Sequence, residues 1–153
     1  MAIDGFLKID DVPGESQRDG HEDEIEIHEV EFGMAAAATT GRRGMPGAAA
    51  GRVELEPFRV AKHYDRASPL LKQALARTQR FSEAVISVRR TVEGETSDYL
   101  VVTLSEASVV GYDLHPAFEQ DLLEEDVFLD YATATFRYLP EDLEVALEKR
   151  LNR

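Results

Sequence analysis

The side chains of this sequence that could do chemistry are histidines, serines and carboxylates, because the chain contains no cysteine. None of its histidines belongs to a His-Glu-x-x-His pattern or to another spacing typical of a zinc site. Acidic residues are frequent, 30 of 153, so no pair of carboxylates stands out as an acid–base couple. The four histidines are His21, His28, His63 and His115. The sequence therefore predicts neither a metal ion nor a cofactor.

The two densest acidic runs, residues 22–24 and 124–126, are interpreted as solvated loop charges. A calcium loop of the EF-hand type would need alternating oxygen ligands and a turn glycine, and residues 119–126 lack both. Ser105 and Ser108 lack the glycine-flanked turn that exposes a nucleophilic serine. The sequence gives no positive case for catalysis, and we predict that the protein is not an enzyme.

The charge balance and hydropathy exclude several kinds of partner. The formal net charge is −13, which disfavours binding to nucleic acid or to anionic lipid, since both require a basic face. No apolar run approaches the roughly 20 residues of a membrane helix, so we expect no membrane insertion. Residues 1–5 lack the basic start and apolar stretch of a signal peptide, which predicts folding in the cytoplasm.

Most of the chain shows the two-residue apolar period of β-strands. Strands are predicted at about residues 5–10, 24–32, 52–64, 81–92, 98–112 and 126–138. Within the second strand the period breaks near His28 and Glu29, which indicates either a β-bulge or a strand crossing between two packing environments. Short polar turns between these strands favour an antiparallel barrel or sandwich.

Two segments have helical spacing. The first begins at Ser68, a favourable N-cap, with Pro69 at the first helical position. Its apolar face is formed by Leu70, Leu71, Ala74 and Leu75. The second begins at Pro140 and extends to about residue 151, with acidic residues in its first turn and basic residues in its last. We thus predict a single mainly β domain, residues 1–153, with one flanking α-helix and a short C-terminal helix.

Residues 33–51 differ from the rest of the chain. The segment contains seven alanines and no acid, and its only charged residues are Arg42 and Arg43. Interspersed glycines and Pro46 prevent a long helix. A loop this long in a compact domain is usually functional or disordered. The segment is therefore either the candidate functional segment or only a flexible hairpin tip.

Several sequence segments together resemble the haemolysin-coregulated proteins, the Hcp family of tube subunits of type VI secretion systems. The resemblance extends over about residues 3–138, and it depends on the order and spacing of motifs that are individually loose. The matching positions are Phe6–Asp10, Val12–Ser16, His21, Glu24–Ile27, Phe32–Met34, Phe58, Lys62, Asp65, Ser68–Leu71, Phe81, Ala84, Ile86, Arg89, Tyr99–Leu100 and the strand through Val110.

This resemblance implies a β-barrel of the Hcp and tail-tube type, assembled as hexameric rings. The rings would stack into the inner tube that a contractile sheath expels from a bacterial cell, and effectors may travel inside the ring. The implied partners are sheath, baseplate or spike proteins and secreted effectors, with secretion through the type VI apparatus. The loop at 33–51 would reach the neighbouring ring. Its predicted stacking residues are Gly33, Met34, Arg42, Arg43, Met45 and Gly51.

Two alternatives remain open on the sequence. One is a tail-tube protein of a phage-like contractile injection particle, which shares this architecture. The other is of a different class, a small secreted binding module or hydrolase. Convergence of His21, His28 and His63 around an apolar pocket would favour the second alternative, whereas a ring-shaped oligomer would favour the tube subunit.

Overall fold

The computed structural model describes residues 2–36, 53–118 and 121–149. These residues form eleven β-strands, one α-helix and one short 3-10 turn. The strands are β1 (Asp4–Ile9), β2 (Ile25–Ile27), β3 (Glu29–Glu31), β4 (Met34–Ala36), β5 (Val53–Leu55), β6 (Phe58–His63), β7 (Arg80–Val92), β8 (Glu95–Pro116), β9 (Leu123–Asp130), β10 (Thr133–Tyr138) and β11 (Leu143–Glu148). The helix α1 spans Ser68–Ala76, and the 3-10 turn spans Leu139–Glu141.

Nine of these strands form one antiparallel sheet. Its order is β2-β1-β7-β8-β9-β6-β3, with β10 also pairing with β8 and β11 pairing with β10. Strands β4 and β5 form a separate two-stranded ribbon at the two ends of the alanine-rich loop. The predicted fold class, mainly β with antiparallel strands and a flanking α-helix, is confirmed.

The two ends of the sheet meet at His28, the single residue between β2 and β3. The His28 carbonyl accepts a hydrogen bond from the Ile3 amide, and the His28 amide donates to the Ala61 carbonyl, both at 2.9 Å. The segment thereby passes from pairing with β1 to pairing with β6. This is the predicted strand that crosses between packing environments. The sheet is not closed into the predicted barrel, because no continuous ladder joins β2 to β3.

Helix α1 covers part of the inward face of the sheet. Leu71 and Ala74 are fully buried in the core, while Leu70 and Leu75 are partly buried against it. Ser68 is the first helical residue rather than the N-cap, which is Ala67. The predicted capping role of Ser68 is therefore wrong. Among the described residues this is the one α-helix, and its nine residues are neither long nor apolar enough to span a membrane.

The C-terminal segment corrects two predictions. Over the described part of the helix predicted at residues 140–151, the chain forms the 3-10 turn and β11 instead, and it reverses at Asp142, which has a left-handed φ of 52°. Residues 150 and 151 lie outside the described residues. Leu143 and Val145 lie opposite Tyr138 and Phe136 of β10, so cross-strand pairing decides the structure over helical spacing. In addition, the long strand predicted at 126–138 consists of two strands, because β9 ends at Asp130 and β10 begins at Thr133.

Candidate assembly surfaces

The predicted stacking loop begins and ends in the β4–β5 ribbon. Met34 pairs with Leu55, and its side chain is exposed. The Gly33 carbonyl accepts a hydrogen bond from the Glu56 amide at 3.0 Å, which fixes the base of the ribbon beside the main sheet. A β-carbon at Gly33 would lie 3.1 Å from a carboxylate oxygen of Glu56, so a side chain there would crowd this base. The other predicted stacking residues, Arg42, Arg43, Met45 and Gly51, lie outside the described residues.

Strand β11 forms an apolar edge of the sheet. In the described parts of the chain its only strand partner is β10, so its other edge leaves backbone N–H and C=O groups unpaired. Leu143 and Val145 project to the same face, and their exposed fractions are 57% and 53%. An open strand edge with an exposed apolar face is the kind of surface to which a further chain adds. We name Leu143, Val145 and the outer edge of β11 the β11 edge.

A second apolar surface lies at the far end of β8 and β9. Leu114 is opposite the buried Glu125, so it continues the inward face of the sheet to a region where its side chain is exposed. Phe118, in the turn after β8, is 85% exposed. We name this surface the β8–β9 end patch, and its exposed members are Leu114, Phe118, Leu122 and Leu123. Exposed apolar side chains grouped in this way are typical of protein–protein contact.

A buried polar network fixes the start of α1 on the sheet. The Lys62 ammonium donates to Glu125 at 2.6 Å, to Asp65 at 2.9 Å and to Ser68 at 3.1 Å. The Ser68 hydroxyl also lies 2.8 Å from Glu125, and the Tyr112 hydroxyl donates to the other oxygen of this carboxylate. Burial, together with the hydrogen bond to Glu125, raises the pKa of Tyr112. The network joins β6, β8 and β9 to the start of α1.

This network corrects the interpretation of residues 124–126 as solvated loop charges. All three residues lie in β9, and the Glu125 side chain is fully buried against Lys62. Asp126 binds the Arg59 guanidinium at 2.9 Å. Sequence reasoning missed the Lys62–Glu125 pair, although the sequence contained one signal for it. Lys62 shares the two-residue period of the apolar Phe58 and Val60, so its ammonium had to find a partner inside the fold.

A second polar cluster attaches the loop before β2 to the main sheet. The His21 ring stacks on Phe6 with centroids 4.2 Å apart, and its nitrogens bind Glu24 at 2.7 Å and Asp98 at 3.0 Å. Arg89 also binds Asp98, at 3.1 Å. Both His21 nitrogens are therefore bound to carboxylates in a structural cluster. His21 does not join His28 and His63, so the three-histidine site that would favour a binding module or hydrolase is not formed.

Comparison with known proteins gives one consistent result. The model of the family described as "Type VI secretion system effector, Hcp" matches residues 6–138. Protein hcp1 of Pseudomonas aeruginosa strain PAO1 is 30% identical over 141 residues, which are 92% of this chain and 86% of that protein. The crystal structure of Hcp1 from Salmonella typhimurium has a TM-score of 0.77 at 25% identity and covers 95% of this chain and 93% of its own.

A further solved structure, described as that of a type six secretion system protein, agrees over 96% of both chains, with a TM-score of 0.82 at 23% identity. An antiparallel β fold with one flanking helix and exposed apolar surfaces has features typical of a subunit of a larger assembly. The chain belongs to the Hcp family and is a tube subunit of a type VI secretion system. Proteins of this family are secreted by type VI systems.

Proposed function

We propose that this chain forms hexameric rings that stack into the inner tube of the secretion apparatus and hold secreted effectors in their lumen. Family membership supports this proposal. It also supports sheath, baseplate or spike proteins as partners of the tube. The observation on which it chiefly depends is the β11 edge, whose apolar side chains and unpaired backbone groups need a neighbouring subunit. Identical subunits joined head to tail close into a ring when the rotation between them permits.

Light scattering on a size-exclusion column tests the ring. We expect the mass of six chains of 17.1 kDa each. A charge placed in the β11 edge by Val145→Lys should reduce the mass to that of smaller species, because a lysine there would lose its hydration in the contact. Val92→Lys is the matched control, since Val92 is 52% exposed and Val145 is 53% exposed. A monomeric parent at micromolar concentration contradicts the ring, and intact hexamers of Val145→Lys exclude β11 as its interface.

We also propose that residues 33–51 contact the adjacent ring through Arg42 and Arg43, which are the only charged residues of that segment. The structure narrows the choice of acidic acceptor. Glu125 is buried and unavailable, whereas the Asp23 side chain is 76% exposed, although it lies 3.2 Å from Arg66. The exposed acids at residues 22 and 23 are therefore the better acceptors on a neighbouring ring.

This contact predicts that stacking depends on salt concentration in two opposite ways. Rings of chains with a net charge of −13 repel each other at long range, while arginine–carboxylate contacts act at a few ångströms. The screening length is about 30 Å at 0.01 M salt and about 8 Å at 0.15 M, so raising salt over this range removes repulsion before it weakens close contacts. We expect tubes to lengthen up to about 0.15 M salt and to shorten toward 1 M.

Sedimentation and negative-stain microscopy measure the stacking. Arg42→Glu combined with Arg43→Glu should abolish stacking at every salt concentration while the rings remain whole. Replacing residues 35–50 by a short Gly-Ser linker should also leave rings intact and lower stacking and secretion. If the double variant stacks as well as the parent, the arginines do not dock on the adjacent ring. If the linker variant is monomeric, the segment belongs to the ring interface instead.

A further inference from the structure

The β6, β9 and β8 strands place ionisable side chains in one row across the sheet. His63 of β6 lies directly opposite Glu124 of β9, and Glu124 lies directly opposite His115 of β8. Directly opposite residues of antiparallel strands project to the same face of the sheet. The row therefore places one imidazole on each side of the Glu124 carboxylate. It lies on the face of the sheet opposite the buried Lys62–Glu125 pair.

The junction between β2 and β3 brings a third imidazole to this row. The backbone hydrogen bond from His28 to Ala61 sets its ring over that of His63, with centroids 4.8 Å apart and planes tilted by 36°. The His28 Nε2 atom is buried and has no hydrogen-bond partner among the described residues. It lies 3.8 Å from a carboxylate oxygen of Glu124, which is too long for a hydrogen bond. A buried polar atom without a partner is costly, and it needs an explanation.

We propose that His28, His63 and Glu124 bind one Zn²⁺ ion, with water in the fourth position. The ligand atoms of these three side chains all lie within 4.8 Å of one another. Tetrahedral zinc with bonds of about 2.0–2.1 Å to nitrogen holds its ligands roughly 3.3 Å apart. The 3.8 Å separation of His28 from Glu124, and separations of up to 4.8 Å within the group, must therefore shorten through side-chain rotation when the ion binds. Two imidazoles with one carboxylate suit zinc and disfavour magnesium or calcium, which prefer oxygen ligands alone.

A second group of three, His115, Glu124 and Asp126, shares the same carboxylate. Two observations favour the first group. Asp126 is already bound to Arg59 at 2.9 Å, which neutralises it, and the unpartnered nitrogen belongs to His28. Bound zinc would join the β2–β3 junction to β6 and β9, the place where the sheet lacks a continuous ladder. In this proposal the bound ion stabilises the fold, because it binds the folded chain only.

Titration calorimetry with Zn²⁺ on chelator-treated protein tests the site, together with thermal melts. We expect one zinc per chain and a higher melting temperature when zinc is bound. Glu124→Gln and His63→Ala should each weaken binding at least tenfold, whereas Glu26→Gln, an exposed glutamate of β2, should leave it unchanged. His115→Ala should change the affinity by less than threefold. A loss for His115→Ala as large as that for His63→Ala would assign the ion to the second group and overturn the proposal.

Spectroscopy on the unaltered chain keeps the test independent of whether the variants fold. Addition of Zn²⁺ should shift the imidazole NMR signals of His28 and His63 and leave those of His21 in place. Co²⁺ should give the visible absorption of a tetrahedral site with nitrogen and oxygen ligands. Absence of binding at micromolar zinc, or several weak sites that no variant affects, would show that the cluster holds no specific ion.

Discussion

Removal of the Lys62 ammonium is the sharpest test of how the helix is held on the sheet. Lys62 and Glu125 lie directly opposite each other on β6 and β9, and the side chains of both are fully buried. The substitution Lys62→Met keeps the apolar stem approximately and removes only the charge with its three hydrogen bonds. Glu125 would then be a buried carboxylate whose donors are the hydroxyls of Ser68 and Tyr112.

Breaking a buried ion pair by removing one partner typically costs about 3–5 kcal/mol. Since two hydroxyl donors remain on Glu125, we expect the lower end, about 3 kcal/mol of the free energy of unfolding. For a chain of 153 residues each kcal/mol corresponds to roughly 2–4 °C, so the melting temperature should fall by roughly 6–12 °C. The exposed pair Arg80–Glu106, at 3.7 Å, gives the matched control. Arg80→Met should cost less than about 1 kcal/mol.

The double variant Lys62→Met with Glu125→Gln separates the charge effect from the packing effect. It removes the uncompensated charge at the fully buried Glu125, so it should be more stable than Lys62→Met alone. Asp65 still loses its cation in both variants, but it keeps a hydrogen bond from the Ala67 amide at 2.9 Å. The coupling between the two sites should exceed about 1 kcal/mol. Urea unfolding followed by far-ultraviolet circular dichroism measures these values, at a protein concentration where all variants have the same oligomeric state. If Lys62→Met lies within 1 kcal/mol of the parent, or the two single effects add, the pair does not act as a buried unit.

Two further predictions concern the core. Leu71→Asp places an unpaired carboxylate on the fully buried face of α1, which should cost several kcal/mol and give insoluble protein. The control Gln73→Asp, on the exposed face of the helix, should remain soluble. A soluble Leu71→Asp with an unchanged melting temperature would contradict the packing of α1 on the sheet. Burial, with the nearby Asp130 charge, raises the pKa of Tyr131 to about 12, so its protonated form is favoured in the folded chain. The stability that this raised pKa contributes is fully present below about pH 10 and is lost as pH rises toward 12. Tyr131→Phe should therefore reduce the fall of the free energy of unfolding with pH in this range, as measured by urea unfolding. An unchanged pH dependence would contradict the assignment to Tyr131.

Strands β1, β7 and β8 and the helix α1 were predictable because each has one consistent apolar period. The broken period near His28 also carried correct information, since the chain there changes its strand partner. The C-terminal segment was not predictable in this way. Leu143 and Leu147 suit a helix, while Leu143, Val145 and Leu147 suit a strand equally well. Pairing with Phe136 and its neighbours on β10 decides between these patterns, and sequence spacing does not contain that information.

The candidate sites were less accessible to sequence reasoning, because each is assembled from distant segments. His28, His63 and Glu124 lie in three separate strands or junctions, and no short motif connects them. The β11 edge depends on which strand remains last in the sheet, which is a property of topology. Only Lys62 had a local signal, since an ammonium at an inward position of a strand requires a buried acid.

The charge distribution gives the assembly surfaces a common physical basis. A chain with a net charge of −13 repels copies of itself, so stable association needs contacts from which unpaired charge is largely absent. Several of the basic side chains are already bound to acids within the chain, as in the pairs of Arg59, Lys62 and Arg89. These cations are therefore not free to neutralise a neighbouring subunit. In the proposed ring, the attraction between subunits therefore comes chiefly from apolar area and backbone pairing at the β11 edge and the β8–β9 end patch, whereas the proposed arginine contacts act between rings.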